Sequence, residues 1–101
     1  MATTVTETYI QEQNDGDTDF PSAARARLAN ELSTGAIVSR TVTPIVYPSE
    51  EVVAGKTRAN VVVVFRSAED RVRIAAASDA DAELQAYLIS CAFRKINRVI
   101  S

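Results

Sequence analysis

The chain has 101 residues, 47% hydrophobic and 24% charged, with one cysteine and no histidine. That is the size of one domain with an ordinary apolar fraction, which excludes wholesale disorder. A lone cysteine excludes an internal disulfide, and the missing histidine removes the commonest general base and metal ligand. The formal net charge of −2 conceals a split: residues 1–35 hold six acids against two arginines, and residues 36–101 hold nine Lys/Arg against seven acids. Binding of a polyanion depends on local clustering, so the acidic total does not exclude it. No apolar run is long enough for a membrane-spanning helix. The opening MATTVTETYIQEQ has neither a basic start nor an apolar stretch, so no secretory signal is expected there.

Residues 1–20 read as an arm of strand and loop. Thr3 to Ile10 are rich in threonine and β-branched residues, which suits a short strand. Residues 11–19 are polar and acidic with one glycine, which suits an exposed loop. A helix is predicted over 21–34. Ser22 or Asp19 can cap it, and Ala24, Leu28 and Leu32 share one face. Gly35 closes it.

Residues 36–77 are expected to form an antiparallel sheet. Its strands are 36–47, interrupted by Pro44, then 57–66, then 71–77 across a tight turn at 67–70. Glu50 to Val53 could add a short strand. Residues 79–100 read as one long helix, with Ser78-x-x-Asp81 as a capping-box-like start. Acids at 79, 81 and 83 and bases at 94, 95 and 98 complement its dipole. The expected fold class is α+β: an antiparallel sheet, with a short N-terminal and a long C-terminal helix packed on one face, dimeric through an extended sheet.

Alternation along the predicted hairpin sorts Val61, Val63, Phe65, Val72 and Ile74 onto one face. Arg58, Asn60, Val62, Arg66, Arg71 and Arg73 fall on the other, with Thr41 and Thr43 beside them. Such a face is either simply solvated or a phosphate-binding surface, since arginine is the preferred phosphate fork. Aromatic stackers are absent from it, Tyr47 aside.

The run Lys56 to Arg66, the run Val72 to Asp79 followed by a helix, and Thr41 to Ser49 together resemble coat proteins of single-stranded RNA bacteriophages. The resemblance covers roughly residues 38–95. It implies a virion structural protein, expressed in a bacterial host, that forms an obligate homodimer, assembles an icosahedral shell and binds single-stranded RNA on its inner sheet surface. Carried over by position, Thr43, Asn60 and Val62 would lie near nucleotides, and Arg58 and Arg73 would meet phosphates. Thr41, Arg66 and Arg71 complete the RNA-binding set that the strand faces suggest. Tyr87, Ile89, Phe93, Ile96 and Ile100 of the predicted long helix are left for a second subunit to cover, unless the N-terminal helix covers them.

No catalytic residue, metal site or cofactor is expected, and no membrane partner. Cys91 sits in an apolar helical row with no histidine to activate it. The stretch Asn14-Asp15-Gly16-Asp17 lacks the full calcium-loop pattern, and no phosphate-binding glycine loop is present. The alternatives are binding modules. A double-stranded-RNA-binding domain has the same element order, but acids stand where it carries lysines. An anchorless periplasmic energy-transducer-like domain and another phage assembly subunit are the others.

Overall fold

The computed structural model describes residues 3–16 and 19–101. Asp17 and Thr18, inside the predicted acidic loop, and Met1 and Ala2 of the arm lie outside the described residues. The element order is β1 (Val5–Asn14), α1 (Ser22–Thr34), β2 (Ile37–Pro44), β3 (Lys56–Phe65), α2 (Ala68–Asp79), α3 (Ala82–Ser90) and β4 (Arg94–Ile100). The strands form one antiparallel sheet in the order β2-β3-β1-β4. This is the split β-α-β arrangement of ferredoxin-like domains, with the second helical crossover broken into two helices.

The α+β class holds, but the expected layout does not: there is no long C-terminal helix, and the sheet has four strands instead of three. Two local causes explain the difference. The predicted turn at 67–70 is the start of α2. Ser67 caps it by accepting from the Asp70 amide at 3.1 Å and donating to the Asp70 carboxylate at 2.9 Å. Glu69 and Asp70 sit in its first turn, and Ala75-Ala76-Ala77 are strong helix formers, so 71–77 is helical and the predicted hairpin does not exist.

The second cause lies at Cys91-Ala92-Phe93. The Phe93 amide donates to the Leu88 carbonyl at 2.9 Å and the Ala92 amide to Ile89 at 3.2 Å, with Ala92 at φ 52°. That is the Schellman ending, with alanine where glycine is usual. The chain then leaves as strand β4. Asp81 starts α3 by accepting from the Leu84 amide at 3.0 Å.

Other boundaries move less. α1 matches its expected span and ends at Gly35 in the left-handed conformation, φ 83°, although no side chain caps its start. β1 runs through residues expected to be loop, as far as Asn14. Residues 50–53 form no strand. β1 pairs with β3 along its whole length and with β4 on its other side, where Thr6 and Ser101 exchange backbone hydrogen bonds of 2.9 Å each way.

All three helices cover the same side of the sheet. The core is Tyr9, Ile37, Val61, Val63 and Phe65, with Leu28 of α1 and Ile74 of α2 packed against it. Val61 is 1% exposed, so its side chain is wholly removed from water. Gln13 is equally buried, and its Nε2 has no partner, although its Oε1 accepts from Gln11 at 3.3 Å. An unpaired buried amide costs about 1–3 kcal/mol. Gln13→Met, of similar volume, is therefore expected to raise stability by about 1 kcal/mol and the melting temperature by about 4–8 °C. A thermal melt followed by circular dichroism checks this; a lower melting temperature would mean that the amide is satisfied after all.

Candidate functional site

The sheet has a helix-covered side and a bare side, and pairing register assigns each residue to one of them. Tyr9, Val61 and Val63 belong under the helices. Their alternates face the other way: Thr6, Thr8, Ile10 and Glu12 from β1, and Arg58, Asn60, Val62 and Val64 from β3. Thr41 lies opposite Val62 and Thr43 opposite Asn60, while β4 brings Arg94 and Ile96 beside Glu12 and Ile10.

Five residues of the expected RNA-binding set, Thr41, Thr43, Arg58, Asn60 and Val62, thus share the bare face. The other three do not join them. Arg66 follows the end of β3 and is held by Asp70, at 2.9 and 3.1 Å. Arg71 and Arg73 lie on α2, on the opposite side of the sheet. Arg73 ties α2 to α1 through Glu31, at 2.9 and 2.7 Å, and these hydrogen bonds hold the Glu31 carboxyl below its ordinary value. The reason is local: a helix, not the expected strand, carries these two arginines.

The cations that remain on the bare face are engaged. Glu12, 4% exposed, stands between Arg58 and Arg94 in a row across three strands. Arg58 donates to it at 2.8 and 2.6 Å, and Arg94 at 2.8 and 3.4 Å. Hydrogen bonds from Arg94 first, then Arg58, bring its carboxyl down to about 2. Every strand-borne aromatic ring is on the helix side, because Tyr9 and Phe65 are core residues. The bare face is therefore threonine, valine, isoleucine and asparagine around one self-contained ion triad.

The expected dimer row is dispersed. Tyr87 and Ile89 are on α3, Phe93 follows it, and Ile96 and Ile100 are on β4. Tyr87 and Phe93 both pack edge-on against Phe20, at 5.8 and 6.3 Å between ring centres, so the protein's own chain covers them. Ile89 remains 80% exposed. Of the row, Ile96 lies on the bare sheet face.

A second polar cluster, unforeseen from the sequence, sits beneath the helices. Glu7 is 4% exposed and faces Arg98 of β4, which donates through Nε at 3.0 Å and Nη2 at 2.9 Å. Lys95 lies 3.5 Å from the other Glu7 oxygen and 4.6 Å above the Tyr9 ring. Burial pushes the Lys95 ammonium down, against the pull of Glu7. Burial likewise raises the Tyr9 hydroxyl, against the pull of Arg40. The signal in the sequence is Glu7 and Tyr9 at alternate positions of one strand, but it carries no meaning until β4 is known to lie alongside. Among the described residues no group of three or more metal-ligating side chains is gathered. The Cys91 thiol donates to the Leu88 carbonyl, at 3.6 Å.

In comparisons with known proteins, no family model and no curated protein matches the chain.

Proposed function

We propose that the protein is a structural subunit, not an enzyme, and that it acts by associating with a second copy of itself across the bare face of its sheet. The observation that carries this reading is a surplus of surface. The chain exposes 6328 Å², whereas a compact monomer of 10.9 kDa exposes about 5,600 Å². The radius of gyration, 14.1 Å, likewise exceeds the about 12.7 Å expected for this length.

The composition of the face favours a like partner. Val62, Val64 and Ile96, over the buried Ile10, are ringed by Thr6, Thr8, Thr41 and Thr43, and both arginines of its triad are already engaged by Glu12. Such a surface gains little from a polyanion. It suits an identical surface related by a two-fold axis, packed as two sheets about 10 Å apart. This keeps the self-association expected of a phage coat protein and replaces its route: sheet packed on sheet, in place of a sheet extended edge to edge with a helical row laid over the partner.

Light scattering coupled to size exclusion tests it. The expected mass is twice that of one chain. Val62→Arg, which sets a charge in the middle of the face, is expected to yield the single-chain mass with an unchanged circular dichroism spectrum. A monomeric parent protein, or a dimeric Val62→Arg, would overturn the reading. Electron microscopy of the same preparation carries it further: closed particles extend the dimer to a virion shell. RNA on this face is the second reading, favoured by Thr41, Thr43, Arg58 and Asn60 sharing it. Copurifying RNA, read at 260 nm and lost in Arg58→Glu, distinguishes that outcome.

A further inference from the structure

The space between helices and sheet is a cavity of about 300 Å³, at the small end of the roughly 300–1,000 Å³ of ligand sites. Its floor is apolar, made by Leu28, Ile37, Val63, Phe65, Ile74 and Leu88. Its wall carries Arg40, Arg71, Lys95 and Arg98 against Glu7 and Asp79, a surplus of two positive charges. Two further charged residues at the wall cancel with partners beyond it, Arg27 with Asp81 and Glu31 with Arg73.

Glu7 is shared by three of these cations. Arg98 takes one of its oxygens at hydrogen-bond distance, Lys95 stands 3.5 Å from the other, and Arg71 approaches no nearer than 3.8 Å. One carboxylate leaves two of the three positive charges uncompensated, and the cost falls on Arg71, whose side chain is 21% exposed, because Lys95 and Arg98 reach water. A fold needing only stability would have used apolar residues here. Lys95 and Arg98 are partly exposed, which puts the mouth of the cavity at the β4 edge.

We infer that this cavity binds a small amphipathic anion, its carboxylate or phosphate head against Arg71, Lys95 and Arg98 and its acyl chain or aromatic ring on the apolar floor. The head would supply acceptors to Arg71, which among the described residues approaches a carboxylate no nearer than 3.8 Å, and to Lys95, which shares one, and the tail would displace water from Phe65 and Ile74. The site lies on the far side of the sheet from the proposed dimer face, so the two readings stand or fall separately.

Calorimetric titration of the full chain with octanoate, octyl phosphate, octanol and inorganic phosphate, each below its micelle concentration, tests it. Octanoate or octyl phosphate is expected to bind saturably and raise the melting temperature. Their ranking tells a carboxylate site from a phosphate site. Octanol and inorganic phosphate are each expected to bind at least tenfold more weakly than the better amphiphile, since each lacks one half of the recognition. Arg71→Gln is expected to weaken binding about tenfold, the loss of one charge-assisted hydrogen bond, with its unliganded melt unchanged or raised. Lys95→Gln provides the same test a second time. Arg25→Gln, on the exposed side of α1, is expected to keep full affinity. Three results would overturn the assignment: no saturable binding by either amphiphile, equal binding by octanol or by inorganic phosphate alone, or undiminished affinity in both Arg71→Gln and Lys95→Gln.

Discussion

Phe65→Ala is expected to destabilise the protein by about 3–5 kcal/mol, which is most of what holds a domain of this size, since total stabilities run about 5–15 kcal/mol. Phe65 closes the core at the point where three strands meet: it lies opposite Val5 on β1 and Ile37 on β2. Leu28 and Ile74 pack from the helices onto the cluster it belongs to. With an open cavity already beside it, the surroundings have no spare side chains to collapse into the gap. Val64→Ala, one residue earlier but on the bare face, removes far less buried surface and is expected to cost under about 1.5 kcal/mol. Urea unfolding of the two variants checks the contrast. Equal losses would show that the helix-covered side is not where the stability resides.

Acid is expected to weaken the fold strongly, and the window follows from two carboxylates. Glu12 is lowered from an ordinary value of 4.5 to about 2, by Arg94 first and Arg58 second. Asp70 is lowered from 3.8 to about 2, by Arg66 first and Ser67 second. A carboxyl that is more acidic when folded contributes its full stabilisation above its unfolded value. That contribution is lost as the pH falls through the folded value. Stability should therefore be flat from neutrality to about pH 5 and decline steeply between about pH 4.5 and 2. Glu12→Gln removes one proton-linked term. The variant is expected to be less stable than the parent at pH 7, with the gap narrowing by pH 3 and closing only near the folded value of about 2. Parallel urea midpoints at both values would contradict the assignment of Glu12.

Much of the framework was legible. The helix over residues 22–34 announces itself through spacing and its closing glycine, and the valine run of β3 fixes the centre of the sheet by alternation alone. That alternation also assembled Thr41, Thr43, Arg58, Asn60 and Val62 correctly. What failed were two short segments whose side chains satisfy both periods. In Arg71-Val72-Arg73-Ile74, the apolar residues alternate like a strand, yet Ile74 also meets the core from a helix. The deciding mark is the Ser67 cap, four residues upstream.

The break after α3 carries no mark at all. Alanine takes the left-handed position, at φ 52°, that glycine normally signals, so the apolar row of Leu84, Leu88 and Cys91 runs on into Lys95 without a visible stop. The ion clusters were invisible for a different reason. Glu7 and Glu12 acquire their arginines only when β1 pairs with strands distant in the chain, and local patterning does not encode that pairing.

The central position of β1 also has a bearing on biosynthesis. The ribosome delivers this segment before both of its partners, and its neighbours arrive only when residues 56–65 and then 94–100 have followed. Until then a nascent polypeptide displays ten residues with unfilled backbone donors and acceptors on both flanks, a template that any passing extended chain could occupy. Slow translation of the later codons would lengthen that hazard, and a chaperone holding β1 would shorten it.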